Sequence, residues 1–295
     1  MKCKLCNYDK IHTTYQGLIR NGRLGRYTEN PIIMWKCDNC DVIWHESILE
    51  DMKYYYESEE YRNSLEGGGD AELFYKLHDK ETLDKLCYTG TTIFRNKVVA
   101  DIGCGCGAFL DYIKGVAKEV IAVEPSKSYQ NVMRKKGFHI YGYSDEAKEH
   151  WKNKVDVITT FDVIEHVEDP IKFITDIFDL LSEEGQAIIG TPTEAPVMRE
   201  LLGEIFEKKL LFSTQHMWIF SEKNLKLIAE NVGFKKVKVK YYQRYGLDNL
   251  FGWLIEKEPC SNIRNSIITE TFDNVWKNEC NRIGLSDYIV LYLCK

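Results

Sequence analysis

The chain has 295 residues, with 39 lysines and arginines against 45 acids and a formal net charge of −6. That length holds one full α/β domain and a small appendage, at roughly 100 to 200 residues per domain. The acidic balance counts against a nucleic-acid partner, whose phosphates must be neutralised by basic residues. No apolar run approaches the ~18 residues that cross a bilayer, and Met1-Lys2-Cys3-Lys4-Leu5-Cys6 lacks the apolar core of a secretory leader. No membrane association is expected, and a cytoplasmic location.

Residues 1–50 stand apart through Cys3-x-x-Cys6 and Cys37-x-x-Cys40, two of the spacings that bring thiolates around a tetrahedral Zn²⁺. Metal binding would stabilise a module whose own apolar core is too small to fold. A zinc-ribbon module is expected there, with Cys3, Cys6, Cys37 and Cys40 as ligands and no open position for substrate. His12 and His45 read as bystanders, and Cys87, Cys104, Cys106, Cys260, Cys280 and Cys294 have no ligand spacing.

Residues 51–96 read as a helical connector: Tyr54-Tyr55-Tyr56 and Tyr61, a flexible Gly67-Gly68-Gly69, then an amphipathic run from Ala71 to Leu86. These tyrosines are candidates to close over a ligand, although an aromatic run is often simply core. From Lys97 onward, short apolar runs alternate with helix-period segments, which predicts βαβ units. Strands are expected at Val98 to Ile102, Val120 to Val123, Phe138 to Tyr141, Val155 to Thr160, Ala187 to Ile189, Val237 to Tyr242 and Tyr288 to Leu293. The fold class is therefore α/β, a seven-stranded, mostly parallel sheet with helices on both faces.

Helices are expected from Ser126 to Lys136, before Gly137, and from Ser221 to Val232, before Gly233. Another runs from Ile171 to Leu181, with Ile171, Ile174, Ile177, Phe178 and Leu181 on one face. Two helical insertions, near 194–215 and 247–285, are candidate substrate covers. The first, a helix from Glu194 to Lys209, carries a stripe of Val197, Met198, Leu201, Leu202, Ile205 and Phe206; the second, from Ile263 to Ile283, carries Ile267, Ile268, Phe272, Val275 and Trp276.

The chemistry concentrates where the first of these strands runs into Gly103-Cys104-Gly105-Cys106-Gly107-Ala108 and then a helix. Glycines let a ligand approach the backbone, and a helix N-terminus offers unpaired N–H groups. Gly103-x-Gly105-x-x-Ala108 also satisfies the dinucleotide fingerprint, so the loop alone does not identify the ligand. Asp101 suits a cationic ligand better than a pyrophosphate, since like charges repel. Glu124, about twenty residues on, is placed to accept from ribose hydroxyls in either case.

The loop from Asp101 to Gly107, the Val123-Glu124-Pro125 segment and Asp162-Val163-Ile164-Glu165-His166-Val167-Glu168-Asp169-Pro170 resemble, in order and spacing, those of class I S-adenosylmethionine-dependent methyltransferases. The resemblance covers roughly Lys97 to Gly233, including Gly190-Thr191-Pro192-Thr193 and His216-Met217-Trp218-Ile219-Phe220-Ser221. It is nearest to the small-molecule enzymes of ubiquinone, sugar and natural-product pathways. It implies a Rossmann-like domain over residues 97–295 and S-adenosylmethionine as cofactor. Gly103, Gly105 and Gly107 would line its methionine part, Asp101 its amino group and Glu124 its ribose. Ser144 or Asp145 would lie near adenine, and Phe161 and Tyr55 complete the expected set. Met34 to Trp44 resembles the ribbon that precedes some small-molecule methyltransferases.

Methyl transfer is an in-line displacement, so holding the nucleophile in place is the main task. A base is needed where the acceptor must lose a proton. His166 is the first candidate, with an ordinary pKa near 6.5 and Glu165 to orient it, and His216 is the second. The competing reading of each is a histidine that fixes a turn or fills the core. Arg244, within Tyr241-Tyr242-Gln243-Arg244-Tyr245, offers a fork for a phosphate or sugar, against the alternative of an exposed strand end. The expected reaction is methylation of a small polar acceptor, a sugar, nucleotide-sugar or other biosynthetic intermediate, at oxygen. The alternative is an RNA methyltransferase whose ribbon holds nucleic acid. The sequence assigns neither an individual acceptor nor an oligomeric state.

Overall fold

The computed structural model describes residues 1–46, 51–58, 60–65, 70–259 and 268–295. The Gly67-Gly68-Gly69 stretch, Cys260 and the beginning of the helix read from Ile263, Ile267 included, lie outside the described residues.

Eleven strands form two sheets among the described residues. The smaller contains β1 (Ile11–Gly17), β2 (Ile32–Cys37), β3 (Ile43–Trp44) and, from far along the chain, β9 (Trp218–Ile219), in the order β1-β2-β3-β9. The larger contains β4 (Val98–Ile102), β5 (Glu119–Val123), β6 (His139–Tyr141), β7 (Val155–Phe161), β8 (Leu181–Pro192), β10 (Lys236–Tyr242) and β11 (Tyr288–Cys294). Its order is β10-β11-β8-β7-β4-β5-β6. The seven expected strands thus all form, in one mostly parallel sheet. β4 pairs in parallel with β5 and β7, and every one of its five residues is buried, as a central strand covered on both faces requires.

The connector is helical: α1 (Met52–Glu57), α2 (Glu60–Leu65) and α3 (Ala71–Thr89) precede the first strand of the larger sheet. The sheet's own helices follow: α4 (Ala108–Ile113), α5 (Lys127–Lys135), α6 (Ser144–Trp151) and α7 (Pro170–Leu180). A core of Val99, Val120, Ala122 and Val157 from the strands meets Phe109, Leu110, Ile113 and Met133 from α4 and α5. α5 ends before Gly137 at φ +78°. Ser126 holds its N-cap position, but its hydroxyl pairs with Ser128 Oγ at 3.0 Å rather than capping the helix. α7 begins one residue earlier than expected because Asp169 caps it, accepting from Lys172 N at 2.9 Å, with Pro170 at the first turn. That phase buries Phe173, Ile174, Ile177 and Leu180 and leaves Ile171 exposed.

The later helices are α8 (Pro196–Leu202), α9 (Glu204–Phe206), which runs into a π-helical turn at Glu207–Leu211, α10 (Glu222–Val232), α11 (Leu247–Glu256) and α12 (Glu270–Ile283). The single helix expected from 194 to 209 is broken at Gly203, whose φ of +52° ends α8. Of its expected stripe, Leu202 and Phe206 are buried while Leu201 and Ile205 are exposed. α12 starts at Glu270 under a Thr269 cap, with Phe272 and Val275 exposed.

The chain divides into two compact units. One comprises residues 49–190, 228–238 and 291–295; the other 1–48, 191–227 and 239–290. The N-terminal strands therefore share a unit with both insertions. Ile19, Met34 and Ile43 pack with Leu202, Phe206, Leu211, Phe212, Ile219 and Trp253. The physical reason is the one that suggested metal: a three-stranded ribbon buries too little apolar surface by itself, and the insertions supply the rest. None of the described helices is long and apolar enough to cross a membrane.

Candidate functional site

In the unit built on residues 49–190, a cavity of about 810 Å³ opens at the carboxyl ends of β4, β5 and β7. Ligands of open α/β sheets bind at such strand ends. Its floor is the turn after β4. Gly103 has φ +77° and Gly105 φ +57°, and both are closely covered: a Cβ on Gly103 would lie 2.2 Å from Val163 Cγ2, and one on Gly105 2.3 Å from the Phe74 ring. Glycine is required there on both counts. Gly107, at φ +78°, opens α4.

Glu124 organises this turn. Its carboxylate accepts from Gly105 N at 2.9 Å and Ser126 N at 3.0 Å, while Gln130 Nε2 donates to its carbonyl at 2.7 Å. It is buried yet faces the cavity. Asp101 lies behind the turn, fully buried, accepting from Thr159 Oγ1 at 2.7 Å. Burial pushes its carboxyl up to about 6, against the pull of Lys85 and the Thr159 hydrogen bond. A buried carboxylate in this state favours a neighbouring cation.

Of the expected cofactor residues, Gly103, Glu124, Ser144 and Asp145 line the cavity. Ser144 donates to Asp176 Oδ2 at 3.3 Å, and Asp145 pairs with Lys172 at 3.5 Å. Asp101, Gly105, Gly107, Phe161 and Tyr55 are not among the described lining residues. Phe161 packs on Tyr88 and Phe109, with ring centroids 6.0 and 6.1 Å away. Tyr55 bonds Ser64 Oγ at 2.8 Å. Its neighbours Tyr56 and Tyr61 line the cavity instead. Adjacent residues of a helix point about 100° apart, and the six residues of α1 give too short a period to choose between them.

His166 lines the cavity from the turn after β7. Its Nδ1 lies 3.0 Å from the Tyr56 hydroxyl, and its Nε2 lies 4.0 Å from Glu165 Oε1. The Tyr61 ring stands edge-on to the imidazole at 6.1 Å. His216 belongs to the other unit, where its backbone N–H donates to Ser213 Oγ at 3.2 Å. The sequence offered no signal for the Tyr56 contact, since 110 residues separate the two side chains. Arg62 was also missed; it lines the cavity with its guanidinium over the rings of Tyr61, Phe74 and Tyr129 at 4.9, 5.3 and 5.2 Å.

In the other unit, the Sγ atoms of Cys3, Cys6, Cys37 and Cys40 all lie within 4.8 Å of one another. Cys3 and Cys40 are 3.6 Å apart, Cys6 and Cys37 3.5 Å. A tetrahedron of thiolates about 2.3 Å from zinc has edges of about 3.8 Å, so the cluster has the dimensions to hold that ion. Both pairs sit in tight turns closed by Asn7 N to Cys3 O and Asp41 N to Cys37 O, each at 3.0 Å. Asn39 N points at Cys37 Sγ at 3.4 Å. The Cys40 thiol pulls Cys3 down to about 5, so one thiolate is already favoured. His12 pairs with Asp38 and His45 with the Ser213 and Glu46 carbonyls, and neither joins the cluster. The Tyr241–Tyr245 segment, read as a phosphate or sugar grip, is engaged within its own unit. Tyr241 donates to Glu222 at 2.7 Å, and Arg244 reaches Asp287 at 3.4 Å over the Tyr288 ring.

The fold is shared by solved methyltransferases. A SAM-dependent methyltransferase from Thermotoga maritima superposes with a TM-score of 0.50 at 20% identity, over 76% of this chain and 93% of its own. One from Archaeoglobus fulgidus gives 0.51 at 17%, over 77% and 100%. A third similar chain comes from the complex between the Haloferax volcanii Trm112 methyltransferase activator and a methyltransferase, with 0.55 at 12% over 84% and 99%. No curated protein matches the chain. The family described as "Methyltransferase domain" matches residues 74–239. That span, more than half of the sequence, takes in the glycine turn, Glu124 and His166, and the chain belongs to this family of methyltransferases.

Proposed function

We propose that this enzyme transfers the methyl group of S-adenosylmethionine to a hydroxyl of a small polar acceptor, with His166 as the general base. The observation that carries the reading is one cavity bounded by the glycine turn, Glu124 and His166. The residues suit the cofactor. Asp101 is a buried carboxylate that a cation would stabilise, Glu124 presents acceptor oxygens to a ribose, and Gly103 lines the cavity. To adenine we assign Ser144 or Asp145, both on the cavity wall at the start of α6. When bound, the cofactor supplies an electrophilic methyl. The protein's part is to hold the acceptor in line with it, to keep water out and to take up the proton.

The wall carries Glu124, Asp145, Glu146, Glu149, Asp162, Glu168, Asp169 and Asp176 against Lys53, Arg62 and Lys172. Such a balance disfavours an RNA strand, and among small acceptors it favours a neutral sugar or polyol over a nucleotide-sugar. We assign the cysteine cluster a structural Zn²⁺, closed to substrate by its four ligands.

Calorimetry with S-adenosylhomocysteine tests the cofactor site. The wild type should bind, and Glu124→Ala should weaken binding at least tenfold while remaining folded. Equal affinity in both proteins would remove Glu124 from the site.

A further inference from the structure

The His166 ring stands between two partners, the Tyr56 hydroxyl on Nδ1 and the Glu165 carboxylate near Nε2. Glu165 is buried, and its carboxylate lies 4.0 Å from Nε2. A lone pair on Nε2 would face that negative charge, whereas an N–H there is attracted to it. The hydrogen therefore belongs on Nε2, and Nδ1 holds the lone pair. With the hydrogen on Nε2, the Tyr56 hydroxyl, 3.0 Å away, donates into Nδ1. The phenol remains protonated at neutral pH, since burial and the neighbouring Tyr61, Tyr55 and Glu165 push it well above its ordinary 10. The basic nitrogen is thus covered by a phenol that itself lines the cavity. An acceptor hydroxyl meets Tyr56 Oη before it meets Nδ1.

We infer that Tyr56 is the catalytic residue that touches the acceptor, and that His166 takes up the proton through it. This rests on the general-base reading of His166 given above. The acceptor's proton passes to Tyr56 Oη while Tyr56's own proton passes to His166 Nδ1, leaving an imidazolium beside the Glu165 carboxylate. The electron pair released on the acceptor oxygen forms the bond to the methyl carbon. The pair of the old carbon–sulfur bond remains on sulfur, which becomes a neutral thioether. The relay tyrosine belongs to the tyrosine cluster of the connector. α1 carries Tyr56 under an Asp51 cap, which accepts from Tyr54 N at 2.8 Å, and the Tyr61 ring packs on it with centroids 4.9 Å apart.

The test uses the full chain, ¹⁵N-labelled and loaded with S-adenosylhomocysteine, at neutral pH. Long-range proton–nitrogen spectra, with His166→Ala to identify the signals, should show His166 protonated on Nε2 and bare on Nδ1. Tyr56→Phe should move the Nδ1 resonance toward that of a nitrogen without a donor, with circular dichroism and S-adenosylhomocysteine affinity unchanged. A wild-type proton on Nδ1 overturns the proposal. In parallel, release of S-adenosylhomocysteine is followed over a panel of neutral sugars and polyols. For any compound that is methylated, Tyr56→Phe and His166→Ala should each lower turnover by about two to four orders of magnitude, and the double variant no further. Wild-type turnover in Tyr56→Phe beside a crippled His166→Ala overturns the relay and leaves His166 as a direct base. Wild-type turnover in His166→Ala overturns the base reading itself. If the panel contains no acceptor, the proton position on the ring decides alone.

Discussion

Asp101 shows how one residue couples fold, pH and ligand. Its folded pKa, about 6, lies above the ordinary aspartate value of 3.8, so the folded protein favours the protonated form. The stability this group gives is complete below pH 3.8 and is lost as pH rises through 6. At neutral pH the ionised carboxylate therefore costs about 3 kcal/mol in the cofactor-free protein. A bound ammonium reverses the balance by favouring the carboxylate. Cofactor affinity should thus rise with pH up to about 6 and level off above it, falling as much as tenfold per unit below. Thermal shifts caused by S-adenosylhomocysteine at pH 5 and 7.5 measure this, and an equal shift at both would show that Asp101 does not hold the ammonium. Gly103 and Gly105 act at the same scale. Each combines a left-handed backbone with a neighbour inside van der Waals contact, so any side chain there disturbs the turn before it can touch a ligand.

Among the elements, α7 shows what a cap contributes to a site. Asp169 satisfies the N–H of Lys172, Pro170 sets the first turn, and Phe173 and Asp176 then reach the cavity wall from successive turns. Asp169→Ala should lower stability by about 1 kcal/mol in urea unfolding, while Asp169→Asn, an equally good cap, should be near neutral. A similar loss in both would make the charge, rather than the cap, the stabilising feature. β8 makes a complementary point. Only Ala187 to Ile189 were legible as a strand, whereas the element runs from Leu181 to Pro192. Its N-terminal flank carries Ser182, Glu183, Glu184 and Gly185, which fall in the register shift between the Leu181 and Gln186 pairings with β7 and have no strand propensity to mark them.

For the molecule as a whole, the cysteine cluster is a cross-link within its unit. It ties the N-terminal turn to the end of β2, and β2 and β3 supply Met34 and Ile43 to the core shared with Phe206 and Trp253. The purified chain should contain one zinc, lost on Cys37→Ser. Chelation should lower the melting temperature of the full chain, because ion binding stabilises only the folded cluster. Elemental analysis checks the stoichiometry, and a wild type free of metal would sink the zinc assignment.

What the sequence determined by itself was local or periodic. Short apolar runs marked all seven strands of the larger sheet, the alternation with helices implied a mostly parallel sheet, and paired cysteines announced their own cluster. Glycine spacing placed the turn, because only glycine tolerates both the left-handed backbone and the closeness of Phe74 and Val163. Tertiary structure decided the remainder. Which tyrosine of the connector faces the cavity depends on a contact with a histidine 110 residues away, and the insertions join the N-terminal strands through packing that no period encodes. Arg62 likewise became visible only when three rings from α2, α3 and α5 met beneath its guanidinium. Periodicity reports which face of an element is apolar, but not which distant surface will cover it, and the cavity is built from such meetings.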